Sequence, residues 1–145
     1  MPSHAPDAII LFAHGSRDPL WRAPIEAVAQ RINQRINQSS SQQPQQALAR
    51  CAYLELCEPD LPTVASEVIA ARALFTRVNG LNDTIKVRIV PMFLGMGKHA
   101  REDLPELVVA LRAAHPEVHF EVVAAIGEDA RVTALLADMA VSSSH

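Results

Sequence analysis

No apolar run in the chain approaches the ~20 residues that a membrane-spanning helix requires, and Met1 to Pro6 has neither the basic start nor the apolar stretch of a signal peptide. A cytoplasmic protein with no membrane partner is therefore expected. Charge of one sign is also missing. Thirteen Lys and Arg against sixteen Asp and Glu leave a formal charge of −3, without the basic excess used to bind nucleic acid or anionic lipid. No nucleic-acid partner is expected, and an anionic ligand has to be held by local groups. Cysteine is scarce: Cys51 and Cys57 are the only two. Placed on one strand they lie roughly 20 Å apart at ~3.3 Å per residue, too far to bridge each other, so both are expected to be reduced, with Cys51 in the core. The glycine fingerprints of nucleotide binding and the GxSxG turn of serine hydrolases are absent as well.

What is present is 145 residues with 49% hydrophobic content, which suits one domain over residues 1–145 with a core of its own. Ala8, Ile9, Ile10 and Leu11 form a short continuous apolar run within Asp7 to Phe12, the pattern of a strand buried on both faces. Asp18 and Pro19 read as the N-cap and first residue of a helix whose apolar positions continue through Ile25, Val28, Ala29, Ile32 and Ile36, although Pro24 argues for a later start. The Gln- and Ser-rich stretch 38–46 cannot bury apolar area and is expected to be an exposed, flexible connection.

A second strand is predicted from Leu48 to Leu56, then a helix from Leu61 to Val78 that stops at Asn79 and Gly80. Ile85 to Met92 reads as the third strand, and Val118 to Ile126 as the fourth. The Asp103 and Glu106 spacing resembles a capping box and predicts a helix from there to about Ala114. Val132, Leu135, Leu136 and Met139 mark a last helix. Strand and helix thus alternate four times, which predicts an α/β fold with a four-stranded parallel sheet and helices on both faces.

In such a sheet ligands bind beyond the carboxyl ends of the strands. Three exits carry chemistry: His14 after the first strand, Glu55 near the end of the second, and a loop after the third that is expected to carry His99. One histidine near a strand end is more often a structural hydrogen-bonding residue than a ligand. Two of them, both beside glycine and both at one predicted edge, shift that balance, because glycine lets the backbone approach a ligand closely. His4, His115, His119 and His145 lack that setting. Glu55 alone reads more simply as a carboxylate pointing to solvent. The segment Gly95-Met96-Gly97 could instead be a phosphate-binding turn.

At these residues the chain resembles the small CbiX-type sirohydrochlorin chelatases. Four segments carry the likeness: His14-Gly15-Ser16-Arg17-Asp18-Pro19; Tyr53-Leu54-Glu55-Leu56 with Glu58-Pro59; Pro91-Met92-Phe93-Leu94 through Gly97 and His99 to Asp103-Leu104-Pro105; and Arg112 to His115-Pro116. Many relatives have proline before the last glycine and a His-Pro shortly after it, whereas this chain reads Ala125-Ile126-Gly127-Glu128-Asp129-Ala130. The resemblance implies a flavodoxin-like half-domain that pairs as a homodimer, with His14 and His99 as the metal-handling and catalytic pair and Glu55 assisting. It also implies that Ser16, Arg17, Phe93, Leu94, Gly97 and Lys98 contact the substrate.

The implied activity is insertion of cobalt, iron or nickel into sirohydrochlorin for cobalamin- or sirohaem-type biosynthesis, with the divalent metal as substrate and no organic cofactor. The residue chemistry suits this independently. Metallation removes two pyrrole protons while the ion sheds water, and imidazole both titrates near neutrality and ligates such metals. Sirohydrochlorin bears many carboxylates, for which Arg17, Arg22, Lys98 and Arg101 are candidate partners. If His14 and His99 share one ion, their nitrogens must come within roughly 4 Å of each other. The alternative reading is a metallochaperone or tetrapyrrole-binding module of the same fold without turnover; a phosphate or nucleotide binder is a third.

Overall fold

The computed structural model describes residues 5–39, 48–80 and 84–142, so residues 40–46 of the predicted connection, with His4 and His145, lie outside the described residues. The element order is β1 (Ala8–Ala13), α1 (Ala23–Ser39), β2 (Leu48–Tyr53), α2 (Leu61–Val78), β3 (Lys86–Pro91), α3 (Lys98–Ala114), β4 (His119–Val122), a 3₁₀ turn (Ile126–Glu128) and α4 (Ala130–Val141). The four strands make one parallel sheet in the order β2-β1-β3-β4. Central β1 pairs Leu11 with both Cys51 and Val90. Because helices cover both of its faces, β1 is apolar almost throughout, as its sequence implies.

The larger core lies on the α2 and α3 face, where Ile10, Phe12, Val87, Ile89 and Phe120 of the sheet meet Leu61, Val64 and Val68 of α2 and Leu104, Val108 and Leu111 of α3. The smaller one lies under α1, around Leu11, Ala29 and Ala49, with Ile25, Ile32, Cys51 and Val90 packed against it. Cys51 is thus half-buried at the margin of this cluster rather than inside it, its Sγ 3.6 Å from the Ile25 carbonyl oxygen, and both cysteines are free. On the same side of β3, Lys86 and Arg88 reach Glu121 of β4 at 3.4 and 3.3 Å.

Two helix starts differ from the sequence expectation, and both have local causes. The Asp18 carboxylate accepts a hydrogen bond from the Leu20 N–H at 2.9 Å, but it caps an isolated turn, and α1 begins only at Ala23. A helix begun at Pro19 would place Pro24 where its missing N–H is needed by the Leu20 carbonyl; that carbonyl instead accepts from the Ala23 N–H at 3.3 Å. The helix α3 starts at Lys98, five residues before the predicted capping box, with Gly97 as an N-cap that offers no side-chain bond. Asp103 and Pro105 are interior to α3, and His99 therefore sits in a helical first turn, not on a loop. The strands β2 and β4 also end earlier than expected, at Tyr53 and Val122. By contrast, α2 has the bounds its sequence predicts: Asp60 caps it by accepting from the Thr63 N–H at 3.0 Å, and Gly80 ends it at φ +68°.

Candidate active site at the carboxyl edge of the sheet

The exits of β1 and β2 are joined by an unusually close backbone approach. Gly15 has φ +102°, and a Cβ built there would stand 1.8 Å from the Glu55 carbonyl oxygen. Only glycine fits, on both counts. The two chains beyond the strands are tied by the Leu54 N–H to the Ala13 carbonyl at 2.8 Å and the Glu55 N–H to the His14 carbonyl at 3.0 Å. The consequence is side-chain contact. His14 Nε2 lies 3.4 Å from Glu55 Oε1, with both side chains about half exposed, at 48% and 45%. Glu55 is thus not merely a carboxylate directed at solvent; it partners the histidine of the neighbouring exit. The next residue, Leu56, takes φ +70°, a conformation costing a leucine roughly 1–2 kcal/mol.

The third exit belongs to β3, which neighbours β1, so His99 at the start of α3 rises from the same edge as His14. His99 is exposed. Among the described residues no three His, Cys, Asp or Glu side chains form a group able to hold a metal ion, so His14, Glu55 and His99 do not close into a three-ligand cage.

The other predicted contact residues divide. Arg17, Lys98 and Arg101 are exposed and form no salt bridge among the described residues, which leaves three cations around the edge for an anionic ligand. Arg22 is engaged elsewhere, 3.6 Å from Glu26 and 3.5 Å from the Glu58 carbonyl. Ser16 Oγ accepts from the Asp18 N–H at 3.1 Å and so shapes the turn after His14. Phe93 packs edge-on to Phe12, ring centres 6.1 Å apart, and belongs to the core margin. Gly97 is the N-cap of α3, and Leu94 is 69% exposed. His115 caps the end of α3 beside Phe120, at 6.2 Å between rings, in keeping with a structural role.

Sequence reasoning did not find the apolar rim. Leu20 (80% exposed) follows β1, Leu56 (49%) follows β2 and Leu94 follows β3, so each of three adjacent strand exits presents a bare leucine. Trp21 stands beside Leu20 with its ring 6.1 Å from Tyr53. Each residue alone looks like ordinary surface; the strand order puts them after three neighbouring exits. At Gly127 a Cβ would sit 1.9 Å from the Leu94 carbonyl oxygen, and its N–H donates to the Phe93 carbonyl at 2.9 Å, clamping the β4 exit onto the β3 exit.

This geometry can be set beside known proteins. The CbiX family profile matches residues 8–143. The chain belongs to the CbiX family. A solved CbiX relative, a putative cobalamin (vitamin B12) biosynthesis protein from Marinobacter aquaeolei, is 30% identical and superimposes with a TM-score of 0.61 over 92% of both chains. The sirohydrochlorin chelatase SirB from Bacillus subtilis subspecies spizizenii, solved in complex with cobalt, shares the fold at 24% identity and a TM-score of 0.57; it matches 92% of this CbiX chain but only 49% of its own.

Two curated relatives, both sirohydrochlorin cobaltochelatases, come from Methanococcus aeolicus (28% identical over 102 residues) and Methanopyrus kandleri (29% over 101). Each alignment covers 70% of this chain and 58% or 57% of the relative, so the match spans less than three fifths of those proteins.

Proposed function

We propose that this CbiX-family chain is a tetrapyrrole metal chelatase that inserts a divalent ion, cobalt foremost with iron and nickel as alternatives, into sirohydrochlorin. The observation that carries the reading is the His14–Glu55 pair at 3.4 Å on an open, leucine-rimmed sheet edge. Metallation must remove two pyrrole protons as the ion enters. His14 accepts one of them, and the Glu55 carboxylate stabilises the imidazolium that results. His99, from the neighbouring exit, accepts the second or ligates the incoming ion. Holding the ion with few ligands favours release into the ring over storage, which also weighs against a metal carrier.

The leucine rim suits the apolar face of a macrocycle, while Arg17, Lys98 and Arg101 suit its carboxylates. The relatives named for sirohydrochlorin and cobalt support this substrate and this metal. The reading includes a homodimer working in the cytoplasm without an organic cofactor. Among the described residues no helix is long and apolar enough to cross a membrane. The test is anaerobic incubation with sirohydrochlorin and Co²⁺, Ni²⁺ or Fe²⁺ in turn, following the absorbance change of metallation. Acceleration with at least one metal is expected; no acceleration with any of them overturns the proposal.

A further inference from the structure

A run of hydrogen bonds organises the turn between β1 and α1. The Ser16 Oγ accepts from the Asp18 N–H at 3.1 Å, the Asp18 carboxylate from the Leu20 N–H at 2.9 Å, and the Asp18 carbonyl from the Trp21 N–H at 3.0 Å. These bonds do not start the helix, which begins at Ala23. What they fix is the place of Trp21. Its ring centre stands 6.1 Å from that of Tyr53 with the two planes at 60°, the edge-on arrangement in which aromatic quadrupoles attract. Tyr53 is 2% exposed, and its hydroxyl has no hydrogen-bond partner among the described residues, so what it offers Trp21 is the ring.

Tyr53 is also the neck of the loop that carries Glu55. Its N–H donates to the Pro59 carbonyl at 2.9 Å and it bridges to Asp60, so residues 54–59 leave β2 and return to it at one residue. The segment after His14 touches this loop at three places. Gly15 lies against the Glu55 backbone, Trp21 packs on the neck, and Arg22 reaches the Glu58 carbonyl at 3.5 Å. The last contact is exposed and long for a hydrogen bond, so it adds little. Among the described residues the Glu55 carboxylate has no partner besides His14. Its position is therefore set through the backbone of the loop, and the loop is held at Gly15 and at Trp21.

We propose that Trp21 is a positioning residue for the proton transfer: set by the Asp18 turn and seated on the Tyr53 ring, it holds the neck of the loop 54–59 and so keeps Glu55 at His14. The kinetic consequence rests on the chelatase reading above; the structural one does not. Without the ring contact the loop samples positions in which the carboxylate leaves the imidazole. The chemical step then slows, while the groups that bind the macrocycle stay where they are. A tryptophan that instead lay against the macrocycle would act on KM.

The test compares the full chain as wild type, Trp21→Leu and Trp21→Phe, with far-UV circular dichroism to confirm folding. In amide exchange followed by NMR, the Tyr53 and Glu55 N–H groups of Trp21→Leu should exchange about three- to tenfold faster, the worth of one aromatic pair, while β1 and β3 keep their wild-type rates. In metallation Trp21→Leu should lose about tenfold in kcat with KM within about twofold, and Trp21→Phe should recover most of both losses. Asp18→Ala leaves the indole but unties its turn; it should shift exchange and kcat the same way by about threefold, and it carries the test if Trp21→Leu does not fold. In a Glu55→Gln background Trp21→Leu should cost less than about twofold in kcat, because the carboxylate it positions is gone. Unchanged exchange at Tyr53 and Glu55 overturns the proposal. So does a loss carried by KM, or an equal kcat loss with and without the Glu55 carboxylate. If the wild type does not metallate sirohydrochlorin, the exchange rates still decide the role of Trp21, and the chelatase reading alone falls.

Discussion

Replacing Gly15 by alanine tests how the site is built. At φ +102° an alanine is strained by roughly 1–2 kcal/mol before any contact is considered. Its Cβ would also stand 1.8 Å from the Glu55 carbonyl oxygen, a backbone atom that cannot rotate away. The exits of β1 and β2 must therefore part, which disrupts the Glu55 N–H to His14 carbonyl bond at 3.0 Å. Losing that backbone bond adds about 0.5–1.5 kcal/mol. Together the cost is roughly 1.5–3.5 kcal/mol, or about 3–14 °C in Tm for a chain of this size. Because the same separation moves Glu55 from His14, metal insertion should fall further than stability alone accounts for. A thermal melt and the metallation assay on one preparation decide the matter. A Gly15→Ala protein that melts within a degree of wild type and metallates at its full rate would refute the reasoning.

Other outcomes follow from individual contacts. Hydrogen bonds from the side chain and backbone of Thr63 hold the Asp60 carboxyl below the ordinary carboxylate range. A depressed folded value means that its contribution to stability is present above the unfolded pKa and is lost as pH falls through the folded one. Asp60→Ala should thus cost about 1 kcal/mol at pH 7 in a urea melt and progressively less as pH drops below 4, whereas Asp60→Asn should keep the cap and lose that pH dependence. Burial pushes the Cys51 thiol up, only partly offset by the neighbouring Tyr53 hydroxyl, so iodoacetamide should alkylate Cys51 several-fold more slowly than a free cysteine at pH 8 by peptide mapping. Leu94→Asn should raise the KM for sirohydrochlorin while leaving the melting temperature unchanged, because Leu94 is exposed at the rim rather than packed in the core.

The fold was legible because its signals are local and repeated. The continuous apolar run of β1 announces a strand covered on both faces, and Asp60 and Gly80 mark the ends of α2 with groups that act through their own turns. The start of α3 was not legible for the converse reason: Gly97 caps it without a side chain, while Asp103 and Glu106, interior to the helix, imitate a start. At the site, His14, Glu55 and His99 could be placed on one edge from strand order alone. The contact between His14 and Glu55 could not, since it depends on Gly15 meeting the Glu55 backbone across two strands, a tertiary fact with no local spacing. The stripe of α4 was visible as a period, but a period does not say what it covers.

The central claim is that the exposed pair of histidines at this edge moves the pyrrole protons and the ion. It is tested most directly by single-turnover metallation of sirohydrochlorin with Co²⁺ by wild type, His14→Ala and His99→Ala under anaerobic conditions. Each alanine protein should keep the wild-type circular dichroism spectrum, since both side chains are exposed and outside the core. Each should lose about 10²–10⁴-fold in rate, the usual contribution of a positioned general base. Full wild-type rate in either folded variant would contradict the account.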